Sequence, residues 1–194
     1  WVQMSVMRVD LSSPSIAVGP VLADGVLTSP KSVTSIAKEC GLVAAINGDF
    51  FDMGATSAPL SLLVADGQII RSPRKDSDFA SLVIFEDDTG LVGQWTWKGV
   101  LKGPNGIEIT LAGLNEISVP SNLAVLYDHH WSWERRPGNS DVHHLAIREG
   151  VVESFSAGWP TPKSSASPNG MNGSSSAPTP GYQPGVGALL DPFM

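Results

Sequence analysis

The chain has 194 residues, 42% of them hydrophobic and only 16% charged, with a formal net charge of −7. This is the composition of a globular chain long enough for one domain with a real core, or for part of a larger one, and not of a disordered chain. The acidic balance argues against a nucleic-acid partner, since phosphate binding needs a basic face. No apolar run is long enough to span a membrane, and a single cysteine, Cys40, excludes an internal disulfide.

Val2, Met4 and Val6 alternate with Gln3 and Ser5, and Val9 and Leu11 follow, which predicts a strand with one buried face. Ser12-Ser13-Pro14-Ser15 predicts a turn, Ile16–Val18 a short strand, and Gly19–Gly25 a loop. Ser29-Pro30 opens a helix that Ser29 or Ser32 can cap. Val33, Ile36, Ala37 and Cys40 recur on one face, with Cys40 expected as buried packing, and Gly41 stops the helix. The run Leu42-Val43-Ala44-Ala45-Ile46 then reads as a buried strand.

Past a small polar loop at Met53–Ala58, Leu62–Val64 and Gln68–Ile70 flank Asp66-Gly67, a strong hairpin signal. Arg71–Asp78 reads as a charged loop, Leu82–Phe85 as a strand, and Glu86–Gly90 as an acidic turn. Leu91–Lys98 carries Trp95 and Trp97 on one face, expected as core. Pro104-Asn105-Gly106 is a turn before the alternating Ile107, Ile109 and Leu111. A strand at Asn122–Tyr127 exits into Asp128-His129-His130-Trp131-Ser132-Trp133, and Val142–Arg148 and Val151–Phe155 are split by Glu149-Gly150. Residues 156–187 are rich in Pro, Ser, Gly and Asn and read as a loop or linker. Within it, Asn172-Gly173-Ser174 fits the N-glycosylation pattern, a triplet that also arises by chance. The expected fold class is α+β, a strand-rich mixed sheet with one main helix packed on it, forming an incomplete domain. The expected division is 1–155 as its N-terminal portion, 156–187 as the linker, and 188–194 as the start of a continuation past Met194.

Polar groups arrive abruptly after Ile46. Asn47, Gly48, Asp49 and Asp52 surround the pair Phe50-Phe51. Two carboxylates and an amide at a strand end, beside aromatics that exclude water, are either a tight turn over core phenylalanines or a functional tip. The run Ala45-Ile46-Asn47-Gly48-Asp49-Phe50-Phe51, followed by Pro59-Leu60-Ser61 and Asp66-Gly67, resembles the signature of the phosphodiester glycosidase family, the uncovering-enzyme-like domain. Ser61 stands where that family usually has glycine. The family's later arginine-bearing segment, with its Asn-Leu-Asp-Gly-Gly-Gly-Ser-like run, has no match here, so the likeness is to an N-terminal portion.

The resemblance implies a hydrolase acting on a sugar-1-phosphodiester, or a related glycosidic linkage, of an extracellular or cell-envelope glycan. Glycosidases place carboxylates near the anomeric carbon, one to attack or stabilise it or to activate water, another to protonate the leaving oxygen. Asp49 is the candidate acid/base or nucleophile, and Asn47 would orient sugar hydroxyls or donate to phosphate. Asp52 is the second carboxylate, or a turn aspartate bonding nearby backbone. Gly48, Phe50, Phe51, Pro59, Ser61, His129 and Trp131 are candidates for contact with the carbohydrate or sugar-phosphate substrate.

No cofactor and no metal are expected. His129-His130 and His143-His144 are adjacent pairs, and neighbours along a strand point to opposite faces. Trp131 and Trp133 are either core or a platform for sugar rings, and the basic clusters Arg71-Arg74-Lys75 and Arg135-Arg136 read as solvated loop charges or as groups that meet a phosphodiester. The rival to an enzyme is a non-catalytic carbohydrate- or wall-binding module, or an inactive partial domain.

Overall fold

A computed structural model describes residues 1–75, 79–132, 134–135, 137, 142–159 and, for the backbone alone, 189–192. It is mostly β, with one α-helix, α1 (Val33–Glu39), and two single 3-10 turns. The strands are β1 (Leu63–Ala65), β2 (Gln68–Arg71), β3 (Ser81–Ile84), β4 (Gly90–Gly93), β5 (Trp95–Lys102), β6 (Glu108–Leu114), β7 (Ala124–Leu126), β8 (His143–Arg148), β9 (Val151–Ala157) and β10 (Leu189–Pro192). They form three antiparallel hairpins, β1–β2, β3–β4 and β8–β9, and one four-stranded sheet in the order β10-β5-β6-β7. That sheet is mixed, because β7 runs parallel to β6 while β5 and β10 are antiparallel to their neighbours.

The turns follow their residues. Asp66 and Gly67 take φ of 50° and 71°, both positive as the tight two-residue hairpin turn requires. Glu149-Gly150 does the same between β8 and β9, with φ of 50° and 77°. In α1, the Ser32 side chain accepts from the Ser35 N–H as the N-cap, and Gly41 leaves the helix at φ 65°.

The predicted single sheet with a packed helix is instead several small sheets. Helix α1 has no fully buried residue, since only seven residues are helical and their apolar stripe is half covered. Cys40 is exposed rather than packed. Three predicted strands are absent. Residues 1–11 and 42–46 belong to no ladder, and Val43 is fully exposed. Apolar alternation sets which face a strand would bury, but a strand exists only where another backbone pairs with it. Ile16–Val18 is likewise unpaired. Strand β9 runs through Ala157, past the expected boundary at 155, whereas residues 160–187 and Asn172 lie outside the described residues.

The core is a cluster of Leu27, Ala58, Ile70 and Trp131, with Leu22, Leu63, Ala65, Ile117, Tyr127 and Trp159 packed around it. Trp95 is buried as expected, whereas Trp97 is half-buried and lies over Gly99. Among the described residues, no helix is long and apolar enough to cross a membrane.

Candidate functional site

Residues 47–61 fold back on themselves. The Asp52 N–H donates to the Ala58 carbonyl and the Leu60 N–H to the Phe50 carbonyl, both at 2.9 Å, with Phe51 bridging Pro59 between them. Asn47 Nδ2 donates to the Asp49 carbonyl at 3.0 Å, tightening the Gly48 turn. Asp49 Oδ2 accepts the Ser61 N–H at 2.7 Å, and its other oxygen has no hydrogen-bond partner among the described residues. Ser61 is not among the residues with positive φ, so serine stands there without backbone strain. The fold therefore brings Asn47, Asp49, Phe50, Phe51, Asp52, Pro59 and Ser61 into one loop pair.

The two carboxylates differ. Asp52 Oδ2 accepts both the N–H and the hydroxyl of Thr56, at 2.9 and 2.8 Å, and Oδ1 accepts the Gly54 N–H at 3.0 Å. These donors, Thr56 first, hold its carboxyl below the ordinary value despite partial burial. Asp52 is thus the turn aspartate of the two readings, closing a loop whose Thr56 and Ala58 are fully buried. Phe50 is 72% exposed and lies beside exposed Phe79, ring centroids 6.4 Å apart, while Phe51 is also exposed. The phenylalanines are therefore a surface shelf and not core.

Beneath the loop lies a group whose burial the sequence did not mark. Arg71, read as a loop charge, is 0% exposed. Its guanidinium donates to the carbonyls of Pro59 and Ser61, to the Asn115 carbonyl at 3.1 Å, and to Glu116 Oε2 at 2.8 Å. Burial lowers its pKa, and Glu116, then Asp49, oppose that by favouring the cation. Glu116 Oε1 also accepts the Ser72 hydroxyl at 2.7 Å. Gly113 has no Cβ because one there would overlap Glu116. Arg71 joins the motif loop to β6, and with its donors engaged it supports the loop rather than offering itself to a ligand.

Asn115, buried at φ 54°, extends the same network. Its Nδ2 donates to the Ile70 carbonyl at 2.7 Å and to Asp128 Oδ1 at 2.8 Å, and its Oδ1 accepts the Asp128 N–H at 3.1 Å. Tyr127 donates its hydroxyl to the Glu116 carbonyl at 2.8 Å, and burial, with Glu116 nearby, raises its pKa. His129 is exposed in the turn after β7, in the segment that Asn115 anchors, and among the described residues no hydrogen bond or ring contact joins it to the loop pair. Trp131 is only 4% exposed and donates its indole N–H to the Arg135 carbonyl at 2.8 Å, so the platform reading gives way to core. Trp133 and Arg136 lie outside the described residues.

His129 and His130 do not point to opposite faces of a strand, because residues 128–130 form a turn. His143 and His144 are neighbours along β8, and His143 stacks on Phe155 while His144 tilts toward Trp159. Two shallow clefts, of about 270 and 300 Å³, lie elsewhere, one lined by Thr28, Ser29, Ser132 and Glu134 and the other by Ile16, Val18, Ile84 and Phe85. No family model, curated protein or solved structure matches the chain.

Proposed function

We propose that the chain is a carbohydrate-directed protein of phosphodiester-glycosidase type, hydrolysing a sugar-1-phosphodiester or related glycosidic linkage outside the cytoplasm. The observation that carries this reading is Asp49. One of its oxygens is fixed by the Ser61 N–H, the other is without a partner among the described residues, and the exposed Phe50–Phe79 shelf belongs to the same loop region. An oriented carboxylate beside an aromatic face suits a sugar, whose C–H face stacks on rings while its hydroxyls seek acceptors. Asn47 sits in the same turn as the polar neighbour. Location outside the cytoplasm is part of the proposal and rests on the motif alone.

A second reading, a carbohydrate-binding module without catalysis, is favoured by Asp52. Both its oxygens are committed to the Thr56 and Gly54 donors, which leaves one available carboxylate where glycoside hydrolysis usually uses two. A phosphodiester has a leaving group good enough to need less protonation, so one carboxylate remains compatible with that substrate. The test is release of free sugar from a sugar-1-phosphodiester by the full chain. The hydrolase reading expects turnover that Asp49→Asn abolishes. Glycan affinity without turnover in the unmutated chain selects the binding module, and absence of both defeats the two readings.

A further inference from the structure

The turn after β7 gathers metal-binding groups that the motif does not use. Asp128, His129 and His130 each place one potential ligand atom within 4.8 Å of the others. We propose that these three residues bind a divalent transition-metal ion, zinc being the reference occupant, as an open site of two imidazoles and one carboxylate with further positions facing solvent. This set is the kind that suits zinc or another borderline first-row ion rather than calcium or magnesium, which prefer all-oxygen cages.

Proximity alone would be weak support, since an aspartate closing its own turn is common. Asp128 does cap this turn, accepting the His130 N–H at 2.9 Å. The same carboxylate oxygen also meets His130 Nδ1 at 3.1 Å, which leaves Asp128 Oδ2, His130 Nε2 and the exposed His129 imidazole, its ring centroid 3.9 Å from that of His130, without a role in the turn. The independent observation is the support behind the cluster. Asn115, fully buried and reaching from the end of β6, holds Asp128 at both its carboxylate Oδ1 and its N–H. A buried amide orienting a ligating carboxylate is the outer layer that metal sites use to fix geometry.

The backbone is fixed too. The Leu27 N–H donates to the His130 carbonyl at 2.8 Å, and the Trp131 N–H to the Asp128 carbonyl at 3.0 Å. Buried Trp131, edge-on to Tyr127 at 5.1 Å, anchors the far side. The ligand atoms of a tetrahedral zinc site lie about 3.4 Å apart, so the present spread closes by side-chain rotation, for which exposed His129 has room. Asp128 Oδ2 carries no hydrogen bond among the described residues and is the oxygen left to ligate.

The experiment is calorimetric titration of the untagged, chelator-stripped full chain with zinc, supported by the absorption spectrum of its cobalt form. Saturable binding of about one ion per chain is expected. The His129→Ala/His130→Ala double variant should lose at least about tenfold in affinity, and Asp128→Asn should weaken binding with the fold retained by circular dichroism. The His143→Ala/His144→Ala variant should bind as the unmutated chain does. Absence of saturable binding, or equal affinity after removal of His129 and His130 in a folded variant, overturns the site. Loss of binding in the His143/His144 variant while the His129/His130 variant still binds overturns it as well.

Discussion

The motif loop and the network beneath it are made in opposite ways. The loop at 47–61 is held by bonds between near neighbours and presents its aromatics to solvent. The network of Arg71, Ser72, Asn115, Glu116 and Asp128 is held by bonds spanning tens of residues and is closed to solvent at its centre. The loop carries the chemically suggestive residues, whereas the network fixes where they stand. If this division is correct, substitutions in the network should cost stability, and substitutions at the loop surface should cost ligand binding with stability intact.

The largest effect is expected for Arg71→Ala. It strands Glu116 beside the core and leaves the Pro59 and Asn115 carbonyls without their donor, a loss of about 3–5 kcal/mol by denaturant unfolding. An unchanged unfolding midpoint would reduce the network to incidental contacts. Asn115→Ala should follow at about 1–3 kcal/mol, because the Ile70 carbonyl and the Asp128 N–H lose their partners. Gly113→Ala should cost about 1–3 kcal/mol by overpacking, since the new methyl displaces Glu116 from Arg71.

The network was hard to read in the sequence for a physical reason. Arg71 follows an apolar strand and precedes Ser72-Pro73, and nothing local separates a buried arginine from a solvated one. Its burial is decided by Glu116 and by carbonyls from 59, 61 and 115. The hairpins were legible because their information is local: Asp66-Gly67 and Glu149-Gly150 turn where apolar runs flank them. Leu42–Ile46 and Val2–Leu11 carry the same kind of pattern, but a strand also needs a pairing partner, which a pattern cannot supply. The motif loop was legible as a cluster, and Asp52 as a turn aspartate, since Asx turns are also local. The Asp128 cluster was obscured by assuming strand geometry where the chain turns.

Smaller effects separate the two carboxylates. Asp52→Ala should cost about 1 kcal/mol through loss of its bonds to Thr56 and Gly54. The Asp52 carboxyl is held below its ordinary 3.8, so its stabilisation is fully present above that value and is lost as pH falls through the lower folded value. Acid unfolding should therefore begin at slightly higher pH in this loop's absence of support from Thr56, as in Thr56→Val, than in the unmutated chain. Smallest in stability is Phe50→Ala, expected within about 0.5 kcal/mol because the ring is mostly exposed, and its cost should fall on sugar affinity instead.

The most direct test of the division is nuclear magnetic resonance titration of the full chain with a sugar-1-phosphate, following backbone amides. Shifts are expected to concentrate at Asn47–Phe51 and Pro59–Ser61, with Arg71, Gly113 and Asn115 nearly unmoved. Saturable shifts centred elsewhere, or none in the loop at any concentration, would contradict the division.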